Sequence, residues 1–468
     1  MVAIPDCFAR KATSIVKIRL RLHAPLISLL TATVISTWAA PVHGQGAPHG
    51  QRWVGTWATA QVALLPPESS SASASASEQQ GEPPRINNQT VRQVVRVSIG
   101  GSRVRVAVAN TFGTEPLRVG AVEVALSVGG GRIDASSVAA LTFDGRGTAT
   151  VEIGSILVSD PVDLEIPPLS DLAVDLYLPD DMSVTTSPGT AHGSAWATTY
   201  LSRPGNHAGV AQLPVDTTIQ SWLYLARVDV LAAFGTNAIV TFGDSITEGY
   251  GSTPDTNHRW PDLMARRLYQ RFGNELPAVM NTGISGNRVL SHNGLPFFTG
   301  SDRPDPDGGF GPSALSRFDR DVLLQPGVTH VVVLESINDI GIAGDSASPT
   351  ADDLIEGHRA LIQRAHAHGL IIYGATLTPF EGARYWTEVG EQKRQAVNAW
   401  IRESGAYDGV IDFDAVVRDP ASPDRFVESY QAEDWLHPND LGYHLMADAV
   451  DLQMFMTRSV AATSAGAR

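Results

Sequence analysis

The sequence predicts an α/β protein in two parts: an all-β sandwich of jelly-roll type, then a three-layer α/β domain with a parallel sheet. Three observations carry this reading. Between Thr90 and about Val230 the chain runs in short stretches that alternate apolar and polar residues, broken by Gly, Pro and Asp. Beyond Asn237 the strands become continuously apolar and alternate with amphipathic helical segments, the signature of a sheet covered on both faces. At 468 residues the chain exceeds the roughly 250–300 residues at which a single core stops growing, so two domains are expected.

Residues 1–44 read as an export signal. Arg10, Lys11, Lys17, Arg19 and Arg21 form a basic leader, Ala24 to Ala40 is apolar but diluted by Ser and Thr, and small residues follow at Ala39, Ala40 and Gly44. That apolar stretch is short and polar for a membrane anchor. The expectation is a secreted or periplasmic protein without integral membrane association. Net charge is −15 overall and −19 once the leader is set aside. Such a field repels nucleic acid and anionic membrane surfaces. The only cysteine, Cys7, lies in the leader, so disulfides, thiolate catalysis and cysteine metal sites are excluded from the mature chain.

The sandwich is expected over 50–232, interrupted by a Ser/Pro-rich insertion at 66–84 that has no apolar residue larger than Ala with which to offset its ordering entropy. VRQVVRVSIGGSRVRVAVANTF reads as a hairpin around a Gly-Gly turn, and RVGAVEVALSV, ATVEIGSILV, DLAVDLYLP, SAWATTYLS and LYLARVDVLA as further strands. Trp53, Trp57 and Trp196 fit buried sandwich positions better than a sugar-stacking platform.

The α/β domain is expected over 237–460. NAIVTFGDS, HVVVLESIND, LIIYGATLTP and GVIDFDAVV are buried strands; RWPDLMARRLYQRF, ADDLIEGHRALIQRAHAHG, EQKRQAVNAWIRES and LGYHLMADAVDLQMF are helices. Ligands of such sheets sit beyond the carboxyl ends of the strands. Ser245 follows the first strand, Gly286 lies in a Gly-rich loop, Asn338 follows LES, and Asp434 and His437 stand three residues apart before the last helix. A serine hydroxyl becomes a nucleophile when an imidazole takes its proton and a carboxylate fixes that imidazole's tautomer. The Ser245 N–H, the Gly286 N–H and the Asn338 amide could then hold an oxyanion. Two plainer readings stay open: Ser245 as a helix cap, and Asp434 as the cap of the last helix with Ser245 and His437 acting as a dyad. His358, His366 and His368 read as solvated residues rather than metal ligands.

GDSITEG around Ser245, SG at Gly286, ND at Asn338 and DWLHP around His437 resemble, in order, the four sequence blocks of the SGNH (GDSL-type) hydrolases. The resemblance covers about residues 237 to 456. It implies a flavodoxin-like sheet, no metal or other cofactor, and hydrolysis of acyl esters through an acyl-enzyme, with Ser245 as nucleophile, His437 as base and Asp434 as its orienting carboxylate. The β half, with WVGTWATA and HGSAWATTY, resembles the sandwich that precedes the catalytic domain in some members. One departure stands out. The family usually has Gly two positions before the block Asn, where this chain has Ser336, whose side chain could crowd the oxyanion pocket or add a hydroxyl to it. The expected function is hydrolysis of carboxylic esters, acyl or acetyl, on small polar molecules or polysaccharide. The alternatives are a lipase or lysophospholipase acting on lipid esters, and a binding protein whose hydrolase half is inactive.

Overall fold

The computed structural model describes residues 50–64, 86–291, 310–342, 344 and 348–456. The expected export signal at 1–44 and the insertion at 66–84 lie outside the described residues.

The α/β part is built on five parallel strands: β1 (Ala238–Gly243), β2 (Ala278–Gly283), β3 (Val328–Leu334), β4 (Ile371–Ala375) and β5 (Gly409–Ile411). Their order is β2-β1-β3-β4-β5, the flavodoxin-like order, in which the sequence of strands reverses between β1 and β3. Every residue of β1 is buried, as its unbroken apolar run requires. Helix Trp260–Phe272 packs on Asp440–Ala449, and Ala351–Ala367 on Glu388–Glu403, supplying the outer layers. Their starts are written in the sequence: Thr350 and Asp353 form a reciprocal capping box, and Thr387 caps through Gly390 N–H.

Two segments depart from expectation. The run GVIDFDAVV is a strand only as far as Ile411, because the Asp412 side chain accepts from Ala415 N–H and turns the chain into a short helix, Phe413–Val417. The last helix stops at Ala449 rather than running through Phe455. Val450 is extended, and Asp451 starts a separate 3-10 turn by accepting from Gln453 N–H.

The preceding part is an antiparallel sandwich. One sheet runs Gln51–Ala58, Leu225–Ala233, Gly101–Ala109 and Ile156–Val158, with Val162–Ile166 also on Gly101–Ala109. The other runs Val215–Ile219, Thr199–Ser202, Asn87–Arg96, Asp171–Asp181, Ala121–Gly129 and Arg132–Ile133. The hairpin expected around the Gly-Gly pair does not form. Asn87–Arg96 and Gly101–Ala109 belong to opposite sheets, and Gly100 marks the crossing. A Cβ at Gly100 would stand 2.2 Å from the Ile166 carbonyl oxygen, so the chain crosses there in space that a side chain would fill.

The described residues form one compact unit. A single buried apolar cluster includes Val54, Val97 and Val230 of the sandwich together with Val240, Met280 and Val332 of the α/β part. β2 is the edge strand on this side. Its Val279 N–H donates to the buried Ser98 hydroxyl at 2.9 Å, and a Cβ at Gly55 would strike the Met280 sulfur. The sandwich thus covers an edge that would otherwise offer unpaired amides.

Candidate active site

Strand β1 ends at Gly243, and the chain turns at once into a four-residue helix, Ser245–Glu248. Asp244 makes the turn: its Oδ1 accepts from Ile246 N–H at 2.9 Å. Gly243 leaves the room, since a Cβ there would lie 2.3 Å from Thr247 Oγ1 and 2.5 Å from the Leu334 carbonyl oxygen. Ser245 thereby stands at the carboxyl end of the sheet, beside the β1/β3 reversal.

His437 comes from the loop 431–438, pinned by a hydrogen bond from Ala432 N–H to the His437 carbonyl at 2.8 Å. Its Nε2 lies 2.7 Å from Ser245 Oγ and its Nδ1 2.5 Å from Asp434 Oδ2. The other Asp434 oxygen accepts from the backbone N–H groups of Leu436 and His437. Burial works to raise the Asp434 carboxyl, but the hydrogen bond and charge of His437, with those two N–H groups, hold it below its usual range. The last helix is capped by Asn439, not by Asp434, which leaves Asp434 to the imidazole. The Ser245 and His437 residues are 4% and 8% exposed, enough for a small reactant and little bulk water.

Ser245, His437, Gly286 and Asn338 line one cavity of about 200 Å³, walled by Tyr250, Phe310, Tyr385, Ile342 and Leu436. Asn338 is fully oriented: its Oδ1 accepts from Tyr385 OH at 3.2 Å, and its Nδ2 donates to the Asn287 carbonyl at 3.1 Å. An amide nitrogen has two hydrogens, so one remains for the cavity. Gly286 has φ +71°, and a Cβ there would lie 2.2 Å from the Phe310 ring. Glycine is needed on both counts.

Ser245, Gly286, Asn338, Asp434 and His437 therefore meet at one place, and residues 241–445 match the GDSL-like Lipase/Acylhydrolase family. The stretch is a GDSL-like lipase/acylhydrolase domain. A search of curated proteins found no match. Among solved structures, a GDSL-like lipase from Bacteroides thetaiotaomicron is 19% identical, covering 46% of this chain and 85% of its own, with a TM-score of 0.32. A catalytic mutant of an acetylxylan esterase from Geobacillus stearothermophilus is 18% identical, covering 46% and 93%, with a TM-score of 0.34. The M. smegmatis aryl esterase is 15% identical, covering 47% and 99%, with a TM-score of 0.34.

In this GDSL-like domain the Ser336 side chain neither crowds the cavity nor adds a hydroxyl to it. Ser336 has φ +113°, a backbone that favours glycine, and its hydroxyl turns into the core to meet His358 Nε2 at 2.9 Å. His358 Nδ1 in turn lies 2.5 Å from Tyr407 OH. His358 is therefore buried and hydrogen-bonded rather than solvated as expected, and burial depresses it to about 4. Its relatives in the expectation, His366 and His368, are exposed. Among the described residues no group of three or more His, Cys, Asp or Glu is placed to hold a metal ion.

Sequence reasoning passed over several residues of the site. The Tyr250 ring lies against His437, centroids 4.2 Å apart, and Trp196 of the sandwich meets Tyr250 edge-on at 5.1 Å. Tyr250 directly follows the GDSITEG block, so adjacency was the available signal. Trp196 itself is partly buried at this junction and not inside the sandwich, unlike the buried Trp57. Asp339 accepts from Val289 and Leu290 N–H and so ties down the loop that carries Gly286. Beneath Ser245 lies a group of buried acids around the buried cation Arg317, which bonds Glu335, Asp321 and the Gly243 carbonyl. Burial pushes Asp244 up to about 7 and Asp339 up to about 6, and it carries Glu335 well above the carboxylate range.

Proposed function

We propose that the protein is an exported serine hydrolase of small carboxylic esters. The observation that carries this is the run of contacts from Asp434 Oδ2 through the His437 ring to Ser245 Oγ, at 2.5 and 2.7 Å, on the wall of the cavity. In the proposed reaction Ser245 Oγ attacks the ester carbonyl carbon and its proton passes to His437 Nε2. The tetrahedral oxyanion takes hydrogen bonds from Ser245 N–H, Gly286 N–H and the free Asn338 amide hydrogen, each donor worth about 10²- to 10³-fold in rate. The alkoxide leaves with the proton from His437, giving an acyl-serine. A water molecule, deprotonated by the same imidazole, then releases the acid. Asp434, held ionised, keeps Nδ1–H pointed away from the serine and steadies the imidazolium in both steps.

Cavity size favours a short acyl group, such as acetyl, on a polar alcohol, including acylated carbohydrate. Drug-sized ligands fill about 300–1,000 Å³, well above the roughly 200 Å³ here. None of the residues lining the cavity is among the exposed large apolar residues, so the described rim lacks the greasy apron that a lipid interface calls for. Among the described residues no helix is long and apolar enough to cross a membrane. The basic, apolar and small-residue run of 1–44 supports the export part of the proposal.

Hydrolysis of p-nitrophenyl acetate and butyrate by the wild type and by Ser245→Ala tests the reading. The acetate is expected to turn over faster than the butyrate, and Ser245→Ala to lose roughly three or more orders of magnitude in kcat. Equal rates in wild type and variant would overturn the assignment.

A further inference from the structure

Glu248 ends the helix that Ser245 begins, and its carboxylate is buried, 4% exposed, where this helix meets the sandwich. A carboxylate there needs partners, and it has two. One oxygen accepts from the Ser285 hydroxyl. The other lies 3.0 Å from Nε2 of His192, a sandwich residue on strand Gly189–His192. His192 is 3% exposed and fixed on its far side, where Nδ1 meets the Ala60 carbonyl at 2.8 Å and the ring stacks on Trp222. A carbonyl can only accept, so Nδ1 carries a hydrogen; a second hydrogen, between Nε2 and the Glu248 oxygen, joins the two side chains, since two bare acceptors 3.0 Å apart would repel.

Ser285 directly precedes Gly286, and both line the cavity. The peptide unit between them carries the Gly286 N–H, so fixing the Ser285 side chain fixes the direction in which that N–H points. Gly286 has no side chain to resist rotation and sits at a positive φ. Without an anchor this donor is the loosest of the three. Asn338 is held by Tyr385 and Asn287, and the Ser245 N–H is part of a capped helix.

We propose that His192 is a positioning residue for the oxyanion hole, acting through Glu248 and Ser285 on the Gly286 N–H, so that the sandwich supplies part of the catalytic apparatus. This rests on the ester-hydrolase reading for its kinetic consequence, but not for its structural one.

The test uses the full chain. His192→Ala and Ser285→Ala are each expected to lower kcat on p-nitrophenyl acetate by about 10- to 100-fold with KM little changed, because the donor counts in the transition state and not in ground-state binding. The double variant should be no slower than the slower single one, since both act on one link. Glu248→Gln should recover most of what Glu248→Ala loses, since its carbonyl oxygen can still accept from the Ser285 hydroxyl. Backbone hydrogen exchange of the segment 283–288 should quicken in His192→Ala. Multiplying losses in the double variant, or an unchanged kcat in Ser285→Ala, would overturn the proposal. If the wild type fails to hydrolyse any ester, the parent reading falls while exchange still decides this one, and unaltered exchange in both His192→Ala and Ser285→Ala would refute it.

Discussion

At the scale of single residues, Ser336 shows how a departure from a family pattern can be absorbed by the core. A non-glycine residue at positive φ costs about 1–3 kcal/mol, and leaving a buried imidazole nitrogen without a partner costs about 1–3 kcal/mol as well. Ser336→Gly relieves the first and incurs the second, so the two nearly cancel. Ser336→Ala keeps the strain and loses the bond to His358. Urea denaturation should therefore rank Ser336→Ala lowest, about 1–3 kcal/mol below wild type, with Ser336→Gly close to wild type. An alanine variant as stable as the wild type would show that the hydroxyl to His358 contact contributes nothing. Esterase activity on small substrates is expected to survive in the glycine variant, since the hydroxyl faces away from the cavity.

At the scale of elements, the short connections after β1 and β2 carry the proposed nucleophile, Ser245, and one proposed oxyanion donor, the Gly286 N–H. The loop 283–290 is gripped from three sides: by Arg317 and the Phe310 and Pro312 carbonyls on Asn287, by Asp339 on two backbone N–H groups, and by Glu248 on Ser285. Gly286→Ala meets both the Phe310 ring and a positive φ, so the peptide must rotate. A loss of about 10²-fold in kcat is expected from a displacement on the order of 1 Å, with the melting temperature nearly unchanged; wild-type kcat would exclude the Gly286 N–H as a donor. The α/β elements were legible because buried strands and amphipathic helices have different periods. The Ser245, Gly286, Asn338 and His437 positions were legible because each follows a strand or precedes a helix. Pairing was not. The two runs flanking Gly100 carry the alternation of a hairpin, yet sheet membership depends on contacts with residues such as Ile166 and Pro168 more than sixty positions away. Likewise GVIDFDAVV has strand propensity throughout, and one aspartate hydrogen bond ends the strand in its middle. His192 opens the HGSAWATTY run, but nothing in that run shows its role, because its partners Ala60 and Glu248 come from other parts of the chain.

At the scale of the whole molecule, acids whose pKa is raised by burial shape how stability responds to pH. A carboxyl raised in the folded protein stabilises the fold fully below its unfolded value, and that stabilisation is lost as the pH rises through the folded value. For Asp244 the window runs from about 4, its unfolded value, to about 7. Asp339 adds to the lower part of the same window. Unfolding free energy, followed by urea titration, should fall across this range, and Asp244→Asn should flatten the fall while keeping the amide oxygen as a cap for Ile246 N–H. If the slope in Asp244→Asn matched that of the wild type, the carboxyl would be ionised throughout, and the acids beneath Ser245 would be paired more completely than their burial indicates.

Tyr250 gives the site an optical handle. Its phenol lies flat enough against the His437 ring, at 4.2 Å and a tilt of 37°, for a charge appearing on the imidazole to alter the ring's near-ultraviolet absorption. In the proposed mechanism, stopped-flow absorbance would then time each proton arrival at His437 with an uncoloured ester, freeing kinetic work from chromogenic leaving groups.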